Sequence, residues 1–351
     1  MGLSKTQENI WQRSRAAGSG AQAVTLSDGA CAYLIGVIAA DLGLRESFPE
    51  IPGDLPGFFD RVDLAALQVD HPNPRALFER LVQLDDDADM YYACLASLHK
   101  ARLKYESILE TQPIPTIEQV GPRGLLQYGR LSPRALTALL FWRKWFFDVD
   151  NRAGQETGYL FEPIIAHAIG GTPVPAKRSP VKRHRNKSKG RQVDCLLEER
   201  AYEVKIRVTI AASGQGRWRE ELDYPVDCRR SGYTPVLLVL DSTPNPKLSE
   251  LERAFRAQAG EVYVGQDAWE HLSTLAGKTM ATFLEKYVRA PIDQLVQEAT
   301  EQLPEMVATM RDASISITIG GEVLRVDRTP EPSEQDDSDE IPADADDDLP
   351  G

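Results

Sequence analysis

The sequence predicts an α/β (α+β) protein: a mixed sheet flanked by helices, a helical N-terminal region, and C-terminal helices with a β-hairpin. Three patterns favour this class. Leucines recur at spacings of three and four within residues 21–110, and strand-like and helix-like segments alternate through residues 155–265. Apolar and polar residues then alternate in residues 314–319, and a glycine pair separates them from a second apolar-rich run at 323–326. Hydrophobic residues make up 42% of the chain, which excludes a disordered protein.

The first elements are helices. Leu77, Leu81 and Leu84 share one helix face, and the apolar run at residues 30–40 is about half the length of a membrane span, so we expect a buried helix. Residues 112–124 carry proline and glycine and are the expected linker. The aromatic-rich residues 133–149 predict a core helix, which we prefer to a wedge inserted into DNA.

The alternating region follows. Strands are predicted at residues 192–197, 202–210, 235–241 and 261–264, with helices at 218–229 and 248–258. Two further helices are expected within residues 267–310. We predict a helical region at 1–120, a core at 121–265, C-terminal helices and hairpin at 266–328, and a disordered acidic tail at 329–351.

Net charge and cysteine usage limit the protein class. The formal charge is −13, but residues 329–351 contain ten acids and no base, which leaves 43 acids against 40 bases in the rest. Local charge patches therefore decide which partners bind. The four cysteines are widely spaced, which favours a reduced protein without a structural zinc site. No signal peptide is recognisable, so a cytoplasmic protein is expected.

The segment 202–210 carries the strongest chemical signal. Its residues alternate, so Glu203 and Lys205 project from one face of the strand. A hairpin centred on Glu198 and Glu199 would place Asp194 directly opposite Glu203. Two carboxylates and an ammonium group would then converge, as a Mg²⁺-dependent phosphodiesterase requires. The alternative is a solvated strand face with a cross-strand ion pair.

Residues 177–191 form a basic segment directly before Asp194. They include eight Lys or Arg residues among fifteen. We expect them to bind DNA phosphates, since such contacts supply most of the affinity for DNA; a solvated basic loop is the alternative. The candidate DNA-binding residues here are Lys182, Arg183, Arg185, Lys187, Lys189 and Arg191.

A glycine-containing segment, residues 211–218, follows the candidate strand. Gln215 and Arg217 are residue types that contact adenine and guanine edges, so we expect them to bind DNA as well. An ordinary connection between strand and helix is the alternative.

Taken together, these motifs resemble the PD-(D/E)xK nuclease superfamily, and within it the ApaLI-like type II restriction endonucleases. The resemblance rests on residues 190–194, 202–205 and 213–218. It implies a restriction-endonuclease-like core with Asp194 and Glu203 as metal ligands and Lys205 as the catalytic lysine. Glu162 is the candidate for a further acid on the preceding helix, with Glu156 as its rival. Pro163 disfavours helix at Glu162, so a helix is expected to begin at Pro163.

The same resemblance implies Mg²⁺-dependent cleavage of double-stranded DNA at a short palindrome, leaving 5′-phosphate and 3′-hydroxyl ends. One catalytic cluster per chain implies a homodimer, because both strands must be cut. A cognate DNA methyltransferase is expected in the same host. Two alternatives stay open: a repair or structure-specific endonuclease with the same cluster, and a non-catalytic DNA-binding regulatory protein.

Overall fold

The computed structural model describes residues 2–16, 24–70, 73–206, 215–244, 246–298, 303–311 and 314–328, without the side chains of residues 155, 158, 159 and 215–217. The predicted acidic tail and residues 207–214 lie outside this part of the chain. The α-helices of the described residues are α1 Lys5–Arg15, α2 Asp28–Asp41, α3 Pro74–Leu84, α4 Ala88–Thr111, α5 Ile117–Val120, α6 Pro133–Ala168, α7 Gln215–Arg230, α8 Pro246–Ala257, α9 Gln266–Leu284 and α10 Ala290–Glu298.

The described residues also form three sheets. The described strands are β1 Thr172–Val174, β2 Lys182–Arg183, β3 Asn186–Gly190, β4 Val193–Leu197, β5 Arg200–Lys205, β6 Thr234–Val239, β7 Glu261–Val264, β8 Met306–Arg311, β9 Ser314–Ile319 and β10 Glu322–Asp327. The central sheet has the order β1-β4-β5-β6-β7, antiparallel from β1 to β5 and parallel from β5 to β7. The predicted mixed sheet flanked by helices is therefore confirmed.

The central sheet is buried on both faces. Val236 and Leu238 of β6 pack into a core shared with the N-terminal helices, α6 and α9. Their neighbours Leu237 and Val239 pack on the opposite face against α7 and α8. Strands covered on both sides have apolar residues in succession, which explains the uninterrupted apolar run in β6. The N-terminal helices thus share one core with the sheet.

Helix α6 connects the N-terminal helices to the sheet. It begins where the Ser132 side chain accepts a hydrogen bond from the Ala135 N–H, with Pro133 in the first turn. The expectation of a new helix at Pro163 was wrong, because α6 runs without a break from Pro133 to Ala168. Burial of Ile164 and Ile165 stabilises the helix across the proline, which lacks an N–H to donate.

Two other segments differ from their predictions. The sequence of the basic segment predicts a loop and no strand, but β2 and β3 pair there as a hairpin. Strand β8 lies where a helix was expected and extends the predicted C-terminal hairpin to three strands in the order β10-β9-β8. Its backbone partners come from β9, a pairing that the local sequence does not encode. The domain boundaries stay predictions. Among the described helices, none is long and apolar enough to span a membrane.

Candidate active site

The site lies on the hairpin of β4 and β5. Cys195 pairs with Tyr202 and Leu197 with Arg200, a register that, continued by one pair, sets Asp194 opposite Glu203. The Val204 N–H donates a hydrogen bond of 2.9 Å to Oδ2 of Asp194, so this carboxylate is held against β5. The structure thus brings together the two carboxylates that the sequence predicts on neighbouring strands.

The environment of Asp194 disfavours its charged form. Asp194 is 8% exposed, and burial raises the pKa of its carboxyl group well above the usual range. The carboxylates of Glu203 and Glu162 raise the pKa further, while the Val204 N–H and the Lys205 ammonium lower it. The net direction is upward. Three carboxylates thus lie near one ammonium group at this site, and this excess of negative charge favours the binding of a cation.

Lys205 lies beside these acids. Its Nζ is 3.0 Å from Oε1 of Glu203 and 3.6 Å from Oε2 of Glu221. Burial by itself lowers the pKa of the ammonium group, but Glu203, Glu221 and Asp194 outweigh that effect and raise the pKa above its usual value. Lys205 is therefore a fixed positive charge, suited to stabilising an anion rather than to accepting a proton.

The structure distinguishes the two rivals for the additional acid. Glu162 is close enough to Asp194 to raise the pKa of that carboxyl group. Glu156, six residues earlier on α6, instead forms an ion pair of 2.9 Å with Lys104 of α4. Six residues correspond to about 600° of helix rotation, so the two side chains leave α6 in different directions.

Sequence reasoning missed the contribution of α7. Glu221 contacts Lys205, and the Tyr224 hydroxyl donates a 2.9 Å hydrogen bond to the carbonyl of Tyr202 in β5. Spacings of three and four residues put Glu221, Tyr224 and the buried Cys228 on one helix face. That periodicity was a usable signal for the face of α7 that packs on the sheet.

The basic hairpin of β2 and β3 is attached to another face of α7. Arg183 forms an ion pair of 2.7 Å with Glu220, and Arg185 forms one of 3.0 Å with Asp223. Lys182 Nζ donates to the Ser179 carbonyl oxygen at 2.7 Å. The predicted DNA-binding residues Lys187 and Lys189 are exposed on β3.

Arg191 differs from its prediction as a DNA contact. Its side chain is 8% exposed, and its Nε lies 3.6 Å from Oδ2 of Asp227, whose side chain is 1% exposed. The backbone N–H of His184 donates to Asp227 Oδ1 at 2.6 Å, so the same carboxylate holds both ends of the hairpin. Arg191 is thus a structural ion pair. The side chains of the predicted Gln215 and Arg217 lie outside the described residues.

The carboxylates fit a hard divalent cation. Within the described ranges, no three His, Cys, Asp or Glu side chains converge closely enough to coordinate one ion by themselves. Mg²⁺ usually takes only one or two protein carboxylates, and substrate phosphate and water complete its coordination. Asp194 and Glu203 on adjacent strands meet that requirement with the oxygen ligands that Mg²⁺ prefers.

Comparison with known proteins agrees with this geometry. A sequence model of the ApaLI-like restriction endonuclease family matches residues 65–289, which include Glu162, Asp194, Glu203, Lys205 and Glu221. The type II restriction enzyme ApaLI of Acetobacter pasteurianus is 47% identical over 281 residues, covering 76% of this chain and 73% of that enzyme. No solved structure matches the chain at a significant level. The chain therefore belongs to the ApaLI-like restriction endonuclease family, as its motifs predicted.

Proposed function

We propose that this protein is a type II site-specific deoxyribonuclease that hydrolyses double-stranded DNA with Mg²⁺ at a short palindrome, leaving 5′-phosphate and 3′-hydroxyl ends. The observation that carries the proposal is the convergence of Asp194, Glu203 and Lys205 on one hairpin within the region matched by the family. Membership of that family supports DNA rather than another phosphodiester as the substrate.

The residues of the cluster divide between metal binding and stabilisation of the phosphate. Asp194 and Glu203 would hold the metal, and the chemistry that a bound Mg²⁺ supplies is electrostatic stabilisation of the attacked phosphate. Lys205 stays protonated between Glu203 and Glu221, so it contributes a positive charge where negative charge develops on the phosphate. Glu162 adds a further negative charge next to Asp194, which strengthens the attraction for the cation.

The basic hairpin would track the DNA backbone beside this cluster. Lys187 and Lys189 are exposed, and each phosphate that they neutralise adds to affinity without adding sequence specificity. Arg183 and Arg185 would join them by exchanging their carboxylate partners for phosphates. The side chains that distinguish one sequence from another include Gln215 and Arg217 in this proposal.

The cellular setting follows from the chemistry. An enzyme that cuts unmodified DNA would destroy the genome of its host, so we propose a cognate DNA methyltransferase and action in the cytoplasm, where the chromosome lies. Cutting both strands of a palindrome with one cluster per chain predicts a two-fold symmetric homodimer.

A cleavage assay tests the proposal. Purified protein is incubated with unmethylated phage DNA in the presence of Mg²⁺ or EDTA, in parallel with the Glu203→Gln variant. The matched control is Glu199→Gln, the same substitution at an exposed position in the turn of the same hairpin. We expect discrete fragments for the wild type and the control with Mg²⁺, and none with EDTA or for Glu203→Gln.

Other outcomes identify the alternatives. A smear or simple nicking would contradict site-specific cleavage and indicate a repair or structure-specific nuclease. DNA that stays intact under every condition would contradict nuclease activity and indicate a non-catalytic DNA-binding protein. Fragments from Glu203→Gln at the wild-type rate would show that the catalytic cluster has been placed wrongly.

A further inference from the structure

An exposed apolar segment precedes helix α6. We name residues 121–131 the arm; it comprises the 3₁₀ segment Gly121–Leu126 and the turn that follows. Leu125, Leu126 and Tyr128 in the arm are 80%, 87% and 72% exposed. Single exposed leucines are common on soluble proteins, but a contiguous apolar patch of this kind marks an interaction site.

The arm is fixed to the protein by its opposite side. Val120, Leu136 and Leu140 form a small buried cluster between α5 and α6. Gly124 lies directly over this cluster, where a Cβ atom would come within 3.2 Å of Leu140 Cδ1. Because the glycine allows this close approach, the next two leucines are presented to solvent by a packed backbone.

Helix α6 extends the exposed surface beyond the arm. Phe147 is 63% exposed and shares its helix stripe with Leu140, seven residues earlier. Leu139 and, in the arm, Leu131 are also exposed. We call the arm together with Leu139 and Phe147 the arm surface. Its six large apolar side chains expose on the order of 700 Å², close to the roughly 800 Å² that each partner contributes to a standard-sized interface.

The composition of this region favours a protein partner over DNA. Residues 119–147 contain four arginines and one lysine but neither aspartate nor glutamate. Aromatic residues and arginine are enriched in the buried centre of protein interfaces, from which acidic residues are depleted. The positive charge alone would also suit DNA. Leu125 and Leu126, however, make no contact with phosphates, and polar residues in their place would serve a DNA-binding surface equally well.

We propose that the arm surface is the contact between two copies of this chain. The inference rests on the proposed function, in which two copies of the cluster cut the two strands of a palindrome and each chain supplies one copy. The exposed apolar area is of the size that each partner contributes to a standard interface, and a two-fold axis through the arm surface would bury Leu125 and Leu126 of both copies.

Sedimentation velocity of the full-length protein without DNA tests the contact. The test variant is Leu125→Glu with Leu126→Glu, which sets charges into the proposed interface and changes side chains that are exposed in the single chain. The control is Leu295→Glu on α10, where the leucine is 74% exposed. We expect wild type and control at twice 39.0 kDa and the double variant at 39.0 kDa, with dimer affinity lowered at least about 100-fold. An unchanged far-ultraviolet circular dichroism spectrum of the double variant would show that the single chain remains folded, because loss of the dimer alone lowers the melting temperature.

Three results would overturn the proposal. A monomeric wild type or a double variant that remains dimeric would remove the arm surface from the interface, and dissociation by Leu295→Glu alone would move the interface to α10. If the double variant remains dimeric, a separate titration with DNA that shows weaker binding would make the arm a DNA contact. Sedimentation measures mass and does not depend on DNA cleavage. A wild type that does not cut DNA would therefore refute the proposed function, while the sedimentation result would still test the arm surface.

Discussion

Replacement of Arg191 by methionine separates a structural ion pair from a DNA contact. The guanidinium lies near Asp227, donates a hydrogen bond to the backbone carbonyl of Glu220, and stacks 5.5 Å from the ring centroid of Tyr224. Methionine preserves much of the apolar stem but removes the charge and the donors. The variant therefore leaves a carboxylate that is 1% exposed without its guanidinium partner.

The expected loss of stability is large. Removal of one partner from a buried ion pair costs about 3–5 kcal/mol, because the remaining charge stays buried. Asp227 retains its contacts with His184, whose backbone N and ring Nδ1 both lie 2.6 Å from Oδ1, so we expect the lower end of that range. At about 2–4 °C for each kcal/mol, a loss of about 3 kcal/mol lowers the melting temperature by roughly 6–12 °C.

Thermal unfolding and salt-dependent DNA binding together test this reasoning. Arg191→Met should melt at a lower temperature and, while folded, retain the wild-type dependence of DNA affinity on salt. The comparison variant, Lys187→Met with Lys189→Met, should melt like the wild type but reduce the logarithmic salt slope by about 1.8, or about 0.9 for each phosphate that is no longer neutralised. An Arg191→Met variant that melts like the wild type and has a reduced slope would refute the buried ion pair.

Two further predictions concern Lys205 and the buried histidines. Glu221→Gln should lower kcat roughly 10-fold at unchanged DNA affinity, because Lys205 loses one of the two carboxylates with which it forms ion pairs, whereas Glu220→Gln should leave kcat intact. Equal decreases in both variants would contradict this. Burial lowers the pKa of His99 and His167 to about 4, so stability falls as pH drops below 6.5, by about 2 kcal/mol for each histidine at pH 5. Urea unfolding of the His99→Gln, His167→Gln variant should show a weaker pH dependence than the wild type; an equal dependence would assign the acid sensitivity to other groups.

The β4–β5 hairpin with the candidate site could be predicted because its geometry is local. Strand alternation places Glu203 and Lys205 on one face, and a tight turn at Glu198 fixes which residue of β4 lies opposite each residue of β5. Nine positions separate Asp194 from Glu203, so the juxtaposition depends on one turn and not on the rest of the fold.

The contribution of α7 could not be predicted in the same way. Glu221 reaches Lys205 because α7 packs on the central sheet, and that packing depends on residues far apart in the chain, including Tyr224 and Phe255. The burial of Arg191 has the same origin. A run of basic residues has the same composition whether it binds DNA or forms ion pairs within the protein. For Arg191 the ion-pair partner is Asp227, which lies 36 positions further along the chain.

The predicted phosphate contacts and the observed ion pairs are compatible because the pairs differ in burial. The pairs of Arg183 with Glu220 and of Arg185 with Asp223 are partly exposed, and such pairs contribute only about 0–1 kcal/mol. A DNA phosphate can therefore replace either carboxylate at small cost. The buried pair of Arg191 with Asp227 resists exchange and keeps the base of the hairpin attached to α7, the helix that also places Glu221 against Lys205. The side chains of Arg183 and Arg185 can thus change partners, while Asp227 keeps the hairpin in its place on α7 through His184 and Arg191.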